Sequence, residues 1–352
     1  MLVYFVRKAH AEETIGIYLQ DWAPDLRDRI RVVPYEELDR LEEIHAATYL
    51  FTDLDRLSPE EHRVATELAD ELARYAPEVR VLNHPRRVKL RYKLLRELSE
   101  RGVNDFRALR LTELETVRYP AFLRRASEHD GPLTGLLHDR EELERAVATL
   151  FLLGRPVHDL LAVEFLDTSD ERGVVRKYGA FVFDGEIVAR HVFFAREWSI
   201  KEPELSEPEL LAEQQRFLEA NPHADQLAEL VRIAQVDYGR LDYAFHEGRL
   251  QLWELNTNPV VLFARSYYDV QHRAAQDVIN ELIAPHFRQF AGPADAAVVG
   301  SFESRRWPVA DKQRAACRRL ARVVPPRARQ AAVGLLVRTP PVRRLVRRRF
   351  ER

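Results

Sequence analysis

The chain has 352 residues, of which 46% are hydrophobic and 31% are charged, and its formal net charge at pH 7 is -2. This balance is typical of a soluble globular protein with two or three domains. The single cysteine, Cys317, excludes an intrachain disulfide and fits a reducing compartment. No apolar run approaches membrane-spanning length, and charged residues interrupt the N-terminus early, so we expect a cytoplasmic protein without a signal peptide.

Short apolar runs alternate with helical patterns in the first part of the chain. The pattern predicts strands at residues 1–6 (MLVYFV), 30–33 (IRVV), 46–51 (AATYLF) and 79–82 (VRVL). Ser58 and Pro59 are typical of a helix N-terminus, with Ser58 as the N-cap of a helix that continues to about residue 75. Strands that alternate with helices predict a small parallel α/β domain over residues 1–85.

The central part of the chain, residues 86–290, predicts a second set of strands and helices. The predicted helices cover residues 86–100, 139–150, 209–221, 224–234 and most of 260–287. Predicted strands cover residues 119–124 and 161–166, and a hairpin at 174–183 and 186–194 turns at Asp184-Gly185. Residues 127–135 form a polar segment with two glycines between a strand and a helix.

Residues 240–259 (RLDYAFHEGRLQLWELNTNP) predict two strands joined by a short turn. A three-residue loop, His246 to Gly248, would place Arg240, Asp242 and Glu254 on one face of the hairpin. A two-residue loop of Glu247 and Gly248 would instead place Asp242 on the face opposite Glu254. We predict the three-residue loop, with Gly248 in the left-handed conformation.

Two carboxylates and an amide oxygen on one face suit a hard cation. Mg²⁺ takes oxygen ligands and usually binds through one or two carboxylates together with substrate phosphates. Arg240 beside them is a fixed cation that can stabilise negative charge in a transition state. The alternative is an ordinary hairpin whose acids pair with nearby arginines.

An Arg-Leu-Asp strand, a turn and a strand that ends in Glu-x-Asn-x-x-Pro resemble the C-terminal metal-binding signature of the ATP-grasp superfamily. The resemblance is to carboxylate–amine ligases of the D-alanine:D-alanine ligase and glutathione synthetase type. In those enzymes the Asp, Glu and Asn hold two Mg²⁺ ions and the Arg contacts the tetrahedral intermediate. The resemblance therefore implies that Asp242, Glu254 and Asn256 are metal ligands and that Arg240 is catalytic.

Further pieces of the same resemblance lie upstream and in the same order as in the family. It implies phosphate contacts from Lys93, from Lys177 and from Arg124, which replaces the family's Lys. It implies that the hinge at Glu164, Phe165 and Leu166 reads the adenine edge, and that either Asp167 or Asp170 binds the ribose hydroxyls. Arg190 and Lys201 complete the implied set, as catalytic residues near the transferred phosphate or the acyl phosphate.

Residues 291–352 form a basic segment in which arginines are set among Leu, Val and Ala. We expect a largely helical extension that packs on the protein or on a second copy in a homodimer. The alternative is contact with an anionic membrane surface or an acidic partner. No aromatic residues are interleaved in the manner of single-strand binders, so we expect no specific nucleic-acid binding.

The sequence thus predicts an α/β protein of ATP-grasp type, with an N-terminal domain (1–85), a two-subdomain core (86–290) and a basic extension (291–352). The predicted activity is ATP- and Mg²⁺-dependent ligation of a small-molecule carboxylate to an amine through an acyl phosphate. One alternative is an ATP-grasp small-molecule kinase. Another is a nucleotide-binding regulator without turnover that is targeted by its basic tail.

Overall fold

The computed structural model describes residues 1–129, 131–200, 204–268, 270–303, 305 and 307–308. Lys201 and the arginine-rich residues from 309 onward, with the helical extension predicted there, lie outside the described residues. The strands are β1 Leu2–Val6, β2 Ile30–Pro34, β3 Glu43–His45, β4 Thr48–Phe51, β5 Arg80–Leu82, β6 Ala108–Arg110, β7 Ala121–Arg125, β8 Leu160–Glu164, β9 Val175–Phe183, β10 Glu186–Ala195, β11 Tyr238–His246, β12 Arg249–Asn256 and β13 Val298–Ser301. The helices are α1 Ile17–Asp21, α2 Pro59–Leu72, α3 Arg91–Glu100, α4 Arg140–Leu152, α5 Pro208–Ala220, α6 Ala224–Ala234 and α7 Val270–Ala291.

The described residues divide into two compact units. The first contains Met1–Leu90, Ser169–Phe245 and Leu252–Pro308, and the second contains Arg91–Thr168 and His246–Gln251. The fold is mixed α/β, with one parallel sheet and several antiparallel sheets. The division at residues 85 and 290 stays a prediction.

The parallel sheet of the first unit has the strand order β2-β1-β4-β5, which confirms the α/β arrangement expected of the N-terminal residues. All five residues of β1 are buried, as expected for a strand covered on both faces. At the start of α2 the Ser58 side chain accepts a hydrogen bond from the Glu61 backbone, and the Glu61 side chain binds the Ser58 backbone in return. This capping box confirms the predicted helix start.

The second sheet of the first unit is antiparallel, with the order β10-β9-β11-β12. The β9–β10 turn is Asp184-Gly185, as predicted, and both residues have positive φ (53° and 88°). The pairing of β10 with β9 shifts between Ala189 and His191, so Arg190 is the extra residue of a β-bulge. A bulge re-aims side chains locally, and here it lies at the residues that form the site described below.

Aromatic side chains join the parallel sheet of the first unit to its four-stranded antiparallel sheet. Tyr4 of β1 meets Tyr238 of β11 edge to face, with ring centroids 6.1 Å apart. Phe183 of β9 lies 5.6 Å from Tyr238 and 5.2 Å from Phe287 of α7. All four side chains are essentially fully buried. Burial of each such ring contributes on the order of 2 kcal/mol, so β1 of the parallel sheet is held firmly beside β11 of the antiparallel sheet.

The second unit is built on the antiparallel sheet β6-β8-β7, with α4 packed against it. Leu123, Leu143, Leu160 and Ala162 are completely buried in its core. Asp139 caps α4 by accepting a hydrogen bond from the Glu142 backbone, which fits the helix predicted to begin at residue 139.

Several predicted elements differ from the observed ones. The helix expected over residues 86–100 begins only at Arg91, and residues 260–268 lie outside the last long helix, which was expected to cover most of residues 260–287. The loop between β11 and β12 is Glu247-Gly248, so the predicted three-residue loop is wrong. Val298–Ser301 is a strand paired with Glu43–His45, within a segment expected to be largely helical. Among the described helices, none is both long and apolar enough to span a bilayer.

Candidate functional site

Asp242 in β11 is the centre of a buried group of charges on the antiparallel sheet. Its carboxylate accepts hydrogen bonds from Arg240 at Nε (2.7 Å) and Nη2 (3.1 Å), and Lys177 Nζ lies 2.9 Å from Oδ2. Asp242 faces Gly179 across the β9–β11 ladder, and Lys177 is two residues from Gly179. Lys177 and Asp242 therefore share one face of the sheet, because alternate residues of a strand point the same way.

The β-bulge of β10 brings Arg190 and His191 to the same region. His191 pairs with Gly179, so Asp242, Gly179 and His191 form one row across three strands. Arg190 is 8% exposed and His191 is 4% exposed. We call Lys177, Arg190, His191, Arg240 and Asp242 the Asp242 cluster.

Burial and mutual repulsion set the protonation states in the Asp242 cluster. Burial would raise the pKa of Asp242, but Arg240 and Lys177 outweigh it and hold that pKa far below its usual range. Burial, followed by the charge of Arg240, holds the pKa of His191 well below its ordinary value, so its ring is neutral near pH 7. Burial lowers the pKa of Arg190 to about 10, which still leaves the guanidinium charged near neutral pH.

The charge balance of this cluster favours an anionic ligand. The charged side chains that act most strongly on His191 are Arg240, Arg190 and Lys177, which are cations, and Asp242, which is an anion. The Nε atom of Arg190 is buried and has no hydrogen-bond partner among the described residues. A buried donor without a partner is costly, and phosphate or carboxylate oxygens would satisfy it.

The predicted metal ligands are placed differently from the expected arrangement. With the two-residue loop, regular antiparallel pairing of β11 with β12 places Asp242 opposite Trp253. Regular pairing therefore no longer puts Asp242 and Glu254 on the same face of the hairpin. Oδ1 of Asn256 accepts a hydrogen bond from the Asn258 backbone (2.9 Å). A Mg²⁺ ion at Asp242 would compete with Arg240 and Lys177 for the same carboxylate. These residues as arranged do not fit a three-ligand Mg²⁺ site, and the set of Asp242, Glu254 and Asn256 stays a prediction.

No alternative metal centre is evident elsewhere in the part of the chain that the structure describes. There, no group of three or more His, Cys, Asp or Glu side chains could hold a metal ion.

The segment that follows β12 is fixed to the carboxyl end of the parallel sheet. The Thr257 hydroxyl accepts a hydrogen bond from the Leu54 backbone (3.0 Å) and donates to Asp55 (2.8 Å). The Tyr4 hydroxyl donates to Oδ1 of Asn258 (2.7 Å). The predicted ligand Asn256 thus lies directly beside a segment that is held by the residues following β4. Ligands of parallel α/β sheets commonly bind at the carboxyl ends of the strands.

In the second unit, Glu164 forms an ion-pair network. Its carboxylate accepts hydrogen bonds from both the backbone and the guanidinium of Arg107, and likewise from both groups of Arg118. Burial would raise the pKa of Glu164, but these hydrogen bonds outweigh it and lower the pKa. The Glu164 carboxylate is therefore fully occupied by hydrogen bonds within the protein. Any contact of this hinge segment with adenine can involve only its backbone.

The other residues predicted to contact the nucleotide occupy different environments. Lys93 is an exposed position of α3, and Arg124 is buried in β7 opposite Leu161. The Phe165 backbone donates to Pro120, Leu166 is partly buried, and Asp167 is exposed. These positions stay predictions.

Asp170, the other candidate for the ribose contact, belongs to the first unit and is used locally. Its Oδ1 accepts from the backbones of Arg172 and Val174, and its Oδ2 accepts from Arg176 (2.7 Å). Burial would raise the pKa of Asp170, but the hydrogen bonds from Arg176 and from the backbones of Val174 and Arg172 outweigh it and lower that pKa to about 2. The carboxylate therefore stabilises the turn before β9.

His191 and Gly179 are members of the site that reasoning from sequence missed. A Cβ added at Gly179 would lie 2.4 Å from the His191 ring, so only glycine leaves room for it. The sequence feature that could have pointed to His191 is a single histidine beside Arg190 in an otherwise apolar strand (IVARHVFFA). The bulge that turns this side chain toward Asp242 has no local sequence signature.

No protein-family model matches the sequence, and no curated protein sequence matches it significantly. Among solved structures, the chain is similar to a D-alanine–D-alanine ligase from Bacillus anthracis complexed with ATP (15% identity, TM-score 0.47, over 83% of this chain and 98% of that one). It is also similar to the ATP-grasp ligase PsnB complexed with minimal precursor (13%, 0.44, 79% and 97%). A third is a RimK domain ATP-grasp protein from Sphaerobacter thermophilus DSM 20745 (14%, 0.43, 83% and 99%). Two of these are described as ATP-grasp proteins, and the activity of this chain has to be argued from its own side chains.

Proposed function

We propose that the protein is an ATP-dependent ligase that joins a carboxylate to an amine through an acyl phosphate. The observation that supports this most directly is the Asp242 cluster, in which Lys177, Arg190 and Arg240 surround one buried carboxylate. Such a group favours an anion of high charge density, and the transferred phosphoryl group is one. The proposal of a ligase in particular rests on the sequence motif that contains Arg240 and Asp242, which resembles the signature of ATP-grasp ligases.

The proposed reaction has two steps. A carboxylate oxygen of the first substrate attacks the γ-phosphorus of ATP, the bond to the bridging oxygen breaks, and ADP leaves with that electron pair. The amine nitrogen of the second substrate then attacks the acyl carbon, loses a proton, and expels inorganic phosphate. Catalysis of such steps consists mostly of positioning and charge neutralisation.

Each charged member of the cluster has a proposed role. Arg190 and Arg240 neutralise the phosphoryl oxygens, and Lys177 provides a third positive charge beside them. Asp242 keeps the Arg240 guanidinium in one orientation through two hydrogen bonds. A pre-oriented donor is worth more to a transition state than a mobile one, because it needs no reorganisation during the reaction.

The rest of the nucleotide site is also part of the proposal. Lys93, Arg124 and the backbone of residues 164–167 are proposed to contact the phosphates and the base, and Lys201 the transferred phosphate. The Mg²⁺ ligands expected from the sequence, Asp242, Glu254 and Asn256, do not fit a shared ion as arranged here, because Lys177 and Arg240 hold the Asp242 carboxylate. The proposed steps therefore rely on the protein's own cations.

The first test is ATP binding, measured as a thermal shift with and without Mg²⁺. Saturation to a hundred times Kd stabilises the folded state by about 2.7 kcal/mol, which is readily detected. Arg190→Gln should remove most of this shift. Arg216→Gln is the matched control, because Arg216 is an exposed arginine of α5 in the same unit. No shift at millimolar ATP in the wild type would overturn the nucleotide site.

The second test is turnover. ADP release should be stimulated by an acid and amine pair from a panel of amino acids, and hydroxylamine should trap the acyl phosphate as a hydroxamate. A stable phosphorylated product without hydroxamate would indicate the kinase instead. ATP binding without ADP release under any pair would indicate the non-catalytic regulator.

A further inference from the structure

Outside the Asp242 cluster, a histidine and a buried aspartate meet at the carboxyl end of the parallel sheet. His10 follows β1, Asp53 follows β4, and Nδ1 of His10 lies 3.1 Å from Oδ1 of Asp53. The Asp53 side chain is fully buried, whereas the His10 side chain is 30% exposed. Nothing in the sequence motif or in the proposed phosphoryl transfer uses this pair.

The contact fixes the tautomer of the imidazole. A carboxylate only accepts hydrogen bonds, so the proton of neutral His10 lies on Nδ1 and the lone pair lies on Nε2. Asp53 also accepts from the Arg7 backbone (2.9 Å) and from Arg56 Nη1 (2.7 Å). These donors hold the Asp53 carboxylate in one position, so it orients the His10 ring.

The dyad is close to the segment of the proposed site that follows β12. Asp53 is followed directly by Leu54, whose backbone donates to Thr257, and Thr257 directly follows Asn256. His10 therefore lies at the same end of the parallel sheet to which residues 256–258 are fixed.

We propose that His10 is the general base for the amine substrate and that Asp53 is its positioning residue. This inference rests on the proposed ligase function. An alkylammonium has no lone pair, so its proton must be removed before the nitrogen can attack the acyl carbon. His10 Nε2 takes this proton and the C–N bond forms. The C–O bond to phosphate then breaks, and phosphate leaves with that electron pair and takes the second N–H proton, so that the products are the amide and hydrogen phosphate.

The test compares two nucleophiles in the same enzyme. Hydroxylamine is already unprotonated near neutral pH and needs no base, whereas an amino acid does. For a carboxylate that gives hydroxamate with the wild type, His10→Gln should reduce amide formation about a hundredfold or more. Hydroxamate formation should remain roughly unchanged. Added imidazole should restore part of the amide formation in His10→Ala.

The possible outcomes distinguish a failure of the His10–Asp53 proposal from a failure of the proposed ligase function. Absence of hydroxamate in the wild type would overturn the ligase, and with it the dyad. Equal loss of amide and hydroxamate in His10→Gln, or no loss of either, would overturn the dyad alone. His45→Gln is the control, because His45 is a partly buried histidine of β3. This variant shows whether replacing any histidine by glutamine reduces amide formation.

A second readout does not depend on activity or on substrate. In the full-length protein, nitrogen-15 shifts of the neutral His10 ring should report the proton on Nδ1. A neutral ring protonated on Nε2 would overturn the proposal, because Nε2 would then have no lone pair with which to accept a proton. Asp53→Asn should shift the equilibrium toward the other tautomer.

Discussion

Gly179 lies directly beneath the imidazole of His191, and a Cβ at residue 179 would be 2.4 Å from Cε1 of that ring. The ring has little freedom to move, because it is stacked on Phe193 with centroids 3.9 Å apart and an interplanar angle of 11°. This packing places a neutral ring between the cations of the Asp242 cluster. The identity of a glycine in one strand thus controls the geometry of charges in two others.

Gly179→Ala should therefore damage both stability and ligand binding. Overpacking of this kind costs about 1–3 kcal/mol, to be measured by urea unfolding. The displaced His191 ring should also reduce the ATP-induced thermal shift. Gly135→Ala is the control, since nothing lies within 4 Å of a Cβ at that residue. Equal stability of the two variants would contradict the close packing of His191.

Glu164→Gln should destabilise the protein because it removes the anion shared by Arg107 and Arg118. We expect a loss of about 1–3 kcal/mol, below the full value for a buried pair, because both arginines are partly exposed to solvent. The control is Glu67→Gln, which breaks an exposed helix pair with Arg63 and should cost less than about 0.5 kcal/mol. The measurement is the free energy of unfolding at neutral pH.

The same substitution has a defined pH dependence. Because the folded-state pKa of Glu164 is lowered, its ionisation stabilises the folded protein fully above the unfolded-state pKa of about 4.3. That stabilisation is lost as the pH falls through the lower folded-state value. The difference between the wild type and Glu164→Gln should thus be constant from pH 7 to about 5 and should shrink in more acidic solution. A difference that grows on acidification would contradict the ion-pair assignment.

Features decided by neighbouring residues were predicted correctly from the sequence. The Ser58 capping box and the Asp184-Gly185 turn each depend on residues within four positions of one another. Glu164 shows the opposite case, since its partners lie 57 and 46 residues away. An isolated acid in an apolar strand predicts that some partner exists, but the pattern does not identify Arg107 and Arg118.

The candidate site also contains some contacts that follow from neighbouring residues and others that depend on distant parts of the chain. Arg240 and Asp242 are two residues apart on one strand, so their proximity follows from the strand period. Lys177 and His191 reach Asp242 only through strand pairing and a bulge, which the sequence pattern does not determine. The pairing of β13 with β3 joins segments about 250 residues apart and has no local signature.

Arg91 fixes the start of the segment that follows β7, and its loss should loosen that segment. Its Nη1 donates to the carbonyls of Arg125 (2.8 Å), Ala126 (3.1 Å) and Glu128 (2.6 Å), and the residue is only 2% exposed. Arg91→Met should cost about 3 kcal/mol, since it leaves several carbonyls without a donor. Hydrogen exchange over residues 126–135 should increase. A lysine at this position should not restore protection, because it lacks the planar fork.

The control for the Arg91 experiment comes from the same helix. Arg96 is exposed on α3 and pairs with Glu100 one turn away, so Arg96→Met should change stability by less than about 0.5 kcal/mol. Faster exchange in both variants would indicate a general loss of α3, and unchanged exchange in Arg91→Met would contradict the proposed anchoring.

The β11–β12 turn is strained at a single residue, and that strain can be relieved. Glu247 and Gly248 have φ values of 49° and 76°, and glutamate is disfavoured in this left-handed region. Glu247→Asn should raise the free energy of unfolding by about 0.5–1 kcal/mol, and Gly248→Ala should lower it by about 1–2 kcal/mol. Glu247→Gln removes the charge but keeps the conformational cost, so it should be neutral. Equal stabilisation by Glu247→Asn and Glu247→Gln would show that loss of the charge causes the effect. An unchanged free energy of unfolding in Glu247→Asn would favour a turn in which only Gly248 is left-handed.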